Sequence, residues 1–353
     1  MNIQINLTAA PKEKPDQSSL GFGKHFTDHM FVMDYAADKG WYNARIEPFG
    51  PLTMHPASTV FHYGAEIFEG MKAYRRPDGE VQLFRPEENM KRLNSSAERL
   101  SLPQIPVEMS LEALKAFVNV EKDWVPSAPG TSLYLRPFLF GNDETLGVHT
   151  IHNAKFVIIA SPVGAYYKEG LNPVKIMIET RDVRAVRGGT GYAKCGGNYA
   201  ASMRAGDRAA AEGYSQVLWL DGVERRYIEE VGAMNVMFLL GDTVVTPALT
   251  GSVLPGITRK SCIELLNEMG MKVEERLLSV DELAEAVKTG ALKEAWGCGT
   301  AAVVSPIGEL RMDDVKYQIA DGGIGKLTQK LYDTLTSIQW GHAEDTHHWT
   351  CKI

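Results

Sequence analysis

The sequence predicts two domains of mixed α/β architecture, and three observations carry that prediction. At 353 residues the chain exceeds the roughly 100–200 residues that one ordinary core organises. β-favouring runs and helix-period stretches interleave through both halves. Between the halves, "VGAYYKEGLNP" (163–173) interrupts the pattern with glycines and a proline, as an interdomain linker does. The expected division is a smaller N-terminal domain over 1–162 and a larger C-terminal one over 174–353.

In the first half, "DHMFVMDYA" has the apolar density of a buried strand, and "VQLFR" (81–85) alternates like another. "PEENMKRLNSSAERL" places Pro86 at a first helical position and repeats Met90, Leu93, Ala97 and Leu100 on one face, which makes an amphipathic helix. A second helix is expected within 110–123, followed by "TSLYLRPFLFG" and "AKFVIIASP" as strands. Beyond the linker "VKIMIETR" reads as a strand, and after a glycine-rich loop a helix over 198–212 stops at Gly213, a residue suited to the left-handed cap. Asp221-Gly222 and Gly241-Asp242 mark two hairpin turns. "TRKSCIELLNEMG" reads as a helix with Thr258 as N-cap and Gly270 as stop, and "SVDELAEAVKTG" opens with a capping box of Ser279 and Glu282.

Composition removes several functions. Apolar residues make up 44% and charged residues 23%, an ordinary globular profile. A net charge of -7 offers no concentrated basic face for nucleic acid. No apolar run approaches the ~20 residues of a membrane helix, and "MNIQINLTAAPKEKPDQSS" lacks a signal peptide's apolar core, so a cytoplasmic protein with no membrane partner is expected. Four scattered cysteines read as reduced thiols. His25 with His29 has H-x-x-x-H spacing but no third ligand, and His342, His347 and His348 lie in a polar tail. Packed or solvated histidines are the expectation in both places, and no metal site is expected.

The stretch "GGTGYAKCGGNYAAS" (188–202) sets Lys194 among glycines ahead of a helix. A nucleotide P-loop requires G-x-x-x-x-G-K-[ST], but Ala193 precedes Lys194 and Cys195 follows it; a G-x-G-x-x-G fingerprint fails because Lys194 takes the third glycine's place. The other glycine-rich lysine, Lys326, has Ala320 where the first P-loop glycine should stand. A lysine kept from water can instead act as a free amine, a nucleophile that forms a Schiff base, and small neighbours let a flat cofactor approach. By itself, a glycine-flanked lysine is more often an exposed loop residue.

The combination of motifs decides between these. "FEGMKAYR" (68–75), "LYLRPFLFGND" (133–143), "RAVRGGTGYAKCGGNYAAS" (184–202), "EEVGAMNVMF" (229–238), "LPGITR" (254–259) and "GCGTAAVVSP" (297–306) together resemble the branched-chain amino-acid aminotransferases, pyridoxal 5'-phosphate enzymes of fold type IV. The resemblance spans nearly the whole chain in consistent order. It implies two α/β domains with the cofactor at their interface and Lys194 as the Schiff-base lysine. It places Arg92 and Arg184 at the cofactor phosphate with the N–H groups of Ile257 and Thr258, Tyr199 at the phenolic oxygen, and Glu230 at the pyridine nitrogen. Glu229 points to the opposite face of an extended segment, so only one of the two acids can take that place.

On the substrate side the resemblance implies Tyr63, Tyr134 and Arg136 around the side chain and carboxylate, Thr300 and Ala301 on a carboxylate-binding loop where Thr300 also serves the cofactor, and Phe22 in the apolar pocket. It further implies L-leucine, L-isoleucine and L-valine as amino donors, 2-oxoglutarate as acceptor, ping-pong kinetics and a homodimer. Two departures stand out: Ala233 replaces a threonine of mammalian relatives, and Ala302 and Ser305 replace their C-x-x-C pair, so no thiol switch is expected there. The nearest rivals, D-amino-acid or (R)-amine aminotransferases and aminodeoxychorismate lyases, share the lysine and glutamate, whereas Tyr134, Arg136 and "GCGTAA" favour the L-branched-chain type. A non-catalytic phosphate- or nucleotide-binding module leaves the lysine, arginine and glutamate matches unexplained.

Overall fold

The computed structural model describes residues 1–164, 171–312 and 314–353. Strands β1 (Gln4–Ile5), β2 (His29–Ala36), β3 (Gly40–Pro48), β4 (Glu66–Phe68), β5 (Met71–Arg75), β6 (Val81–Phe84), β7 (Ser132–Gly141) and β8 (Asn153–Val163) belong to a first sheet. Strands β9 (Val174–Glu179), β10 (Gln216–Leu220), β11 (Ile228–Val231), β12 (Asn235–Leu240), β13 (Thr243–Pro247), β14 (Lys272–Arg276), β15 (Leu292–Gly299), β16 (Val303–Met312) and β17 (Val315–Gln318) make a second. The last strand, β18 (Thr350–Lys352), returns to the first sheet, whose order is β1-β3-β2-β8-β7-β5-β6-β18 with β4 on β7. The second runs β11-β10-β9-β16-β15-β12-β13-β14 with β17 on β16.

Two compact units result, one of Met1–Lys168, Ala193–Gly196 and Ile338–Ile353, the other of Glu169–Tyr192 and Gly197–Ser337. A single cut at 163–173 therefore does not describe them, and residues 165–170 of the expected linker lie outside the described residues. The C-terminus joins the first unit for local reasons. β18 pairs antiparallel with β6, Gln82 Nε2 donates to the carbonyls of Ile338 and Gln339, and Trp340 packs edge-on against Tyr74. The tail histidines are not all solvated, since the His347 ring stacks on Trp349 at 3.9 Å.

The helices are α1 (Thr59–Tyr63), α2 (Pro86–Arg99), α3 (Val107–Val120), α4 (Gly196–Ala200), α5 (Met203–Ala211), α6 (Ile257–Glu268), α7 (Val280–Lys288) and α8 (Lys326–Gln339). In the first unit Met90, Leu93 and Ala97 of α2 and Leu114 and Phe117 of α3 bury against Phe31, Leu133, Leu135 and Phe156 of the sheet. Each large side chain contributes about 1.5–3 kcal/mol by leaving water. Because strand side chains alternate, Leu133, Leu135 and Leu139 of β7 fill this core while Tyr134 and Arg136 face the other side. In the second unit Leu283 and Ala286 of α7 cover Leu218, Phe238 and Val245, and Ala205 and Ala209 of α5 lie against Val217 and Trp219.

Local expectations fail where side chains compete with the backbone. The helix expected over 198–212 is two, α4 and α5, because the Ser202 hydroxyl donates to the Tyr199 carbonyl at 2.7 Å and tightens a turn there. Gly213 takes the left-handed conformation at φ 80° as expected. Thr258 is not an N-cap: Gly256 holds that position and Thr258 lies inside the first turn of α6. His29 is on a strand, not a helix, and is buried with its Nδ1 against Glu121 Oε1. The Ser279 cap is present, accepting from Glu282 N–H at 3.1 Å.

The Asp221-Gly222 hairpin is a seven-residue connection rather than a two-residue turn, because the Asp221 carboxylate gathers the loop. Burial pushes its pKa up, but bonds from the N–H groups of Tyr227, Arg226, Glu224 and Val223 outweigh that and hold it at about 2. A depressed folded-state pKa contributes stability above the unfolded value of about 3.9, and that stability is lost as pH falls through the folded value. Denaturant midpoints measured from pH 5 down to pH 2 should thus fall further for the native chain than for Asp221→Asn, and parallel curves would refute this role.

Candidate active site

In the first unit the Lys194 backbone is fixed on both sides. Its N–H donates to Ser96 Oγ of α2 at 2.8 Å, its carbonyl accepts from Phe68 N–H at 2.9 Å, and Gly196 N–H donates to Glu66 Oε1. A Cβ on Gly196 would sit 2.1 Å from that carboxylate, so the close approach requires glycine. Burial pushes the Glu66 carboxyl up, against the opposing Gly196 N–H and Arg136 charge. The Lys194 Nζ lies over the Phe68 ring at 4.8 Å, and the Arg136 guanidinium lies over the same ring at 4.6 Å.

Arg136 Nη2 donates to the Tyr134 hydroxyl at 3.0 Å, and the Phe22 ring meets Tyr134 edge-on at 4.9 Å. Gly70 makes room for that hydroxyl, which an added Cβ would meet at 2.1 Å. Arg136 Nε is buried without a hydrogen-bond partner among the described residues. An orphaned guanidinium donor beside a phenol fits a carboxylate that completes it. One turn before Ser96, Arg92 forks onto Glu69, Nε to Oε1 and Nη2 to Oε2, both at 2.8 Å. Glu69 is wholly buried and also accepts from Asn89 Nδ2, so Arg92 is a fixed cation rather than a solvated helix residue.

In the second unit Glu230 of β11 accepts from Leu254 N–H at 2.7 Å on Oε1, and Arg184 Nε stands 3.2 Å from Oε2 as its ion-pair partner. The Arg184 Nε–H is misaligned for a hydrogen bond despite that short ion-pair distance, while Nη2 donates to the carbonyls of Ser252 and Gly191. Glu229 faces Ser252 Oγ, and burial pushes its carboxyl up. The loop Ser252–Gly256 leads into α6, whose first-turn N–H groups, those of Ile257 and Thr258 included, receive no side-chain cap. A Cβ on Gly256 would stand 1.9 Å from Asn235 Oδ1, so the close packing of the helix start on Asn235 requires glycine.

The expected residues thus fall on both units. Phe22, Tyr134, Arg136 and Lys194 are linked through Phe68, with Arg92 held on α2 four residues before Ser96. Arg184 and Glu230 are paired ahead of Ile257 and Thr258, while Tyr199 is in α4 and Thr300 and Ala301 form the turn between β15 and β16. That turn ends at Val303 with φ 62°, a conformation a β-branched residue adopts only under constraint. Tyr63 stands apart: it is exposed at the end of α1, and its hydroxyl accepts from Gly147 N–H at 2.7 Å. Sequence reading missed Glu66, Phe68, Glu69 and Ser96; the "FEG" of "FEGMKAYR" signalled Phe68 and Glu69 alone.

A family model described as amino-transferase class IV matches residues 66–310, more than half the chain, and the chain belongs to that class. It is 55% identical over 351 residues to branched-chain-amino-acid aminotransferase 2 of Bacillus subtilis, covering 99% of this chain and 97% of the relative. The branched-chain amino acid aminotransferase of Escherichia coli has a similar fold, with TM-score 0.77, 27% identity and coverage of 92% of this chain and 98% of that one. So does the T.th. branched-chain amino acid aminotransferase complexed with N-(5'-phosphopyridoxyl)-L-glutamate, at TM-score 0.74 and 25% identity over 91% and 97% of the chains. Within its class the chain is thus a member of the branched-chain-amino-acid aminotransferases, with their mixed α/β, two-sheet architecture.

Proposed function

We propose that this chain transfers the amino group of L-leucine, L-isoleucine and L-valine to 2-oxoglutarate with pyridoxal 5'-phosphate. The observation that supports it most is the setting of Lys194, fixed through its own N–H and carbonyl with its amine over Phe68. When bound, the cofactor supplies an aldehyde carbon that condenses with amines and a ring that accepts electrons. The Lys194 amine takes the proton from the substrate α-carbon and later returns one. Arg136 and Tyr134 orient a substrate carboxylate, and the turn at Thr300 and Ala301 offers backbone N–H groups to the same end.

Arg92 and the α6 start at Ile257 and Thr258 hold the phosphate, and Tyr199 holds the phenolic oxygen. Glu230 takes the ring-facing place, because Leu254 N–H bonds one of its oxygens and the Arg184 guanidinium stands beside the other, while burial pushes Glu229 up. The contacts of Arg184 with Glu230, Gly191 and Ser252 support a duty different from the one implied by resemblance, namely fixing Glu230 rather than binding phosphate. The second half-reaction uses the same groups in reverse, which gives ping-pong kinetics. An apolar pocket separates aliphatic side chains differing by a methylene by only about 1–3 kcal/mol, so all three substrates are accepted. The proposed assembly is a homodimer in the cytoplasm, and among the described residues no helix is long and apolar enough to cross a membrane.

A panel of L- and D-amino acids with 2-oxoglutarate tests the substrate class, and turnover confined to D-substrates would overturn it. Glu230→Gln should lower kcat by at least about 10²-fold, the scale of losing one aimed electrostatic group, while Glu229→Gln costs less. The reverse ranking would move the ring-facing role to Glu229.

A further inference from the structure

We propose that Asp143, His149 and His152 form a binding site for a divalent zinc-class ion on the connection between β7 and β8. Their ligand atoms all lie within 4.8 Å of one another. All three residues come from one short segment of the first unit, and neither histidine cluster considered from the sequence includes them.

The hydrogen-bond geometry of the His149 ring favours a cation at this place. His149 Nδ1 lies 2.7 Å from the Gly147 carbonyl, and only an N–H can face a carbonyl at that distance. In the neutral ring Nε2 then bears the lone pair, and it stands 3.6 Å from Asp143 Oδ2. The lone pair and the carboxylate oxygen face a common point, and a cation placed there is attracted by both. A shared proton fits poorly, since charged N–H to carboxylate bonds run about 2.7–2.9 Å. Two ligands each about 2.0–2.1 Å from a tetrahedral ion stand roughly 3.3–3.5 Å apart, which fits the observed gap.

The supporting contacts are those of a ligand set. A metal-bound imidazole usually donates its other N–H to a carbonyl or carboxylate, as His149 does to Gly147. Asp143 is buried and oriented: Oδ1 accepts from the N–H and Nδ2 of Asn153 at 2.9 and 2.8 Å, and Oδ2 from His152 N–H at 3.0 Å. His152 is exposed, its ring 5.9 Å from that of His149, and is free of burial constraints on turning toward the ion. Solvent takes the fourth position. Two imidazoles and one carboxylate suit Zn²⁺ over Ca²⁺ or Mg²⁺, which take oxygen ligands.

The test is equilibrium dialysis of the full-length holoenzyme against zinc chloride, with Co²⁺ substitution to report coordination geometry by its visible bands. One ion per chain is expected, and His149→Gln and His152→Gln should each raise its dissociation constant at least tenfold. The double variant His347→Gln/His348→Gln controls for the tail and should bind like the native chain. Absence of binding up to millimolar zinc, or native affinity in both His149→Gln and His152→Gln, overturns the site. Asp143 is left intact because it also holds the backbone of its own loop.

Discussion

Lys194→Ala is expected to lower kcat for L-leucine with 2-oxoglutarate by at least about 10³-fold, within the range that a positioned acid–base group supplies. The folded state should persist, because the bonds that fix this position are made by the Lys194 backbone and not by its side chain. Near-native thermal unfolding with lost turnover is therefore the expected pair of results. Borohydride treatment of the pyridoxal phosphate-loaded native chain, followed by peptide mass analysis, should place the reduced adduct on Lys194. An adduct on Lys72 or Lys326 instead, or more than a few per cent of native turnover in Lys194→Ala, would remove Lys194 from the chemistry. Lys72 is the competitor that matters, since burial brings its pKa down to about 8.

Arg92→Ala is expected to cost about 3–5 kcal/mol of folding stability, the usual loss when one partner of a buried pair is removed. Glu69 is wholly buried and Arg92 only 10% exposed at its side chain, so solvent cannot replace the lost guanidinium. Denaturant unfolding checks the number, and a loss under about 1 kcal/mol would mean that water reaches Glu69. The double variant Arg92→Met/Glu69→Met separates two duties of the arginine. It should recover much of the stability by removing both charges, and it should not recover cofactor affinity if Arg92 also holds the phosphate. Recovery of both would reduce Arg92 to a structural partner.

Much of the fold was legible because its elements are set by local periodicity. Met90, Leu93 and Ala97 repeat at helical spacing and are buried on α2, and the β-favouring run at 132–141 is β7, with alternate residues inside. Side-chain hydrogen bonds to the backbone broke this rule, as Ser202 did between α4 and α5 and Asp221 did in the β10–β11 connection. Short polar strands such as β18 carry no periodic signal and form only because β6 offers an edge. For the site, motif order along the chain named Lys194, Glu230 and Arg136. It could not supply the partners that fix them, Ser96, Leu254 and Phe68, which come from distant positions and have no distinctive spacing.

By itself the sequence determined the class of chemistry and most helices and strands, and it singled out the lysine proposed to carry that chemistry, because each depends on residue type and near neighbours. The tertiary structure alone decided three things. It showed that residues 193–196 and 338–353 belong with the first unit, that Glu230 meets both Leu254 N–H and the Arg184 guanidinium, and that Asp143, His149 and His152 converge. The physical reason is that each depends on where the folded backbone carries a group in space, which residue type and order along the chain do not state.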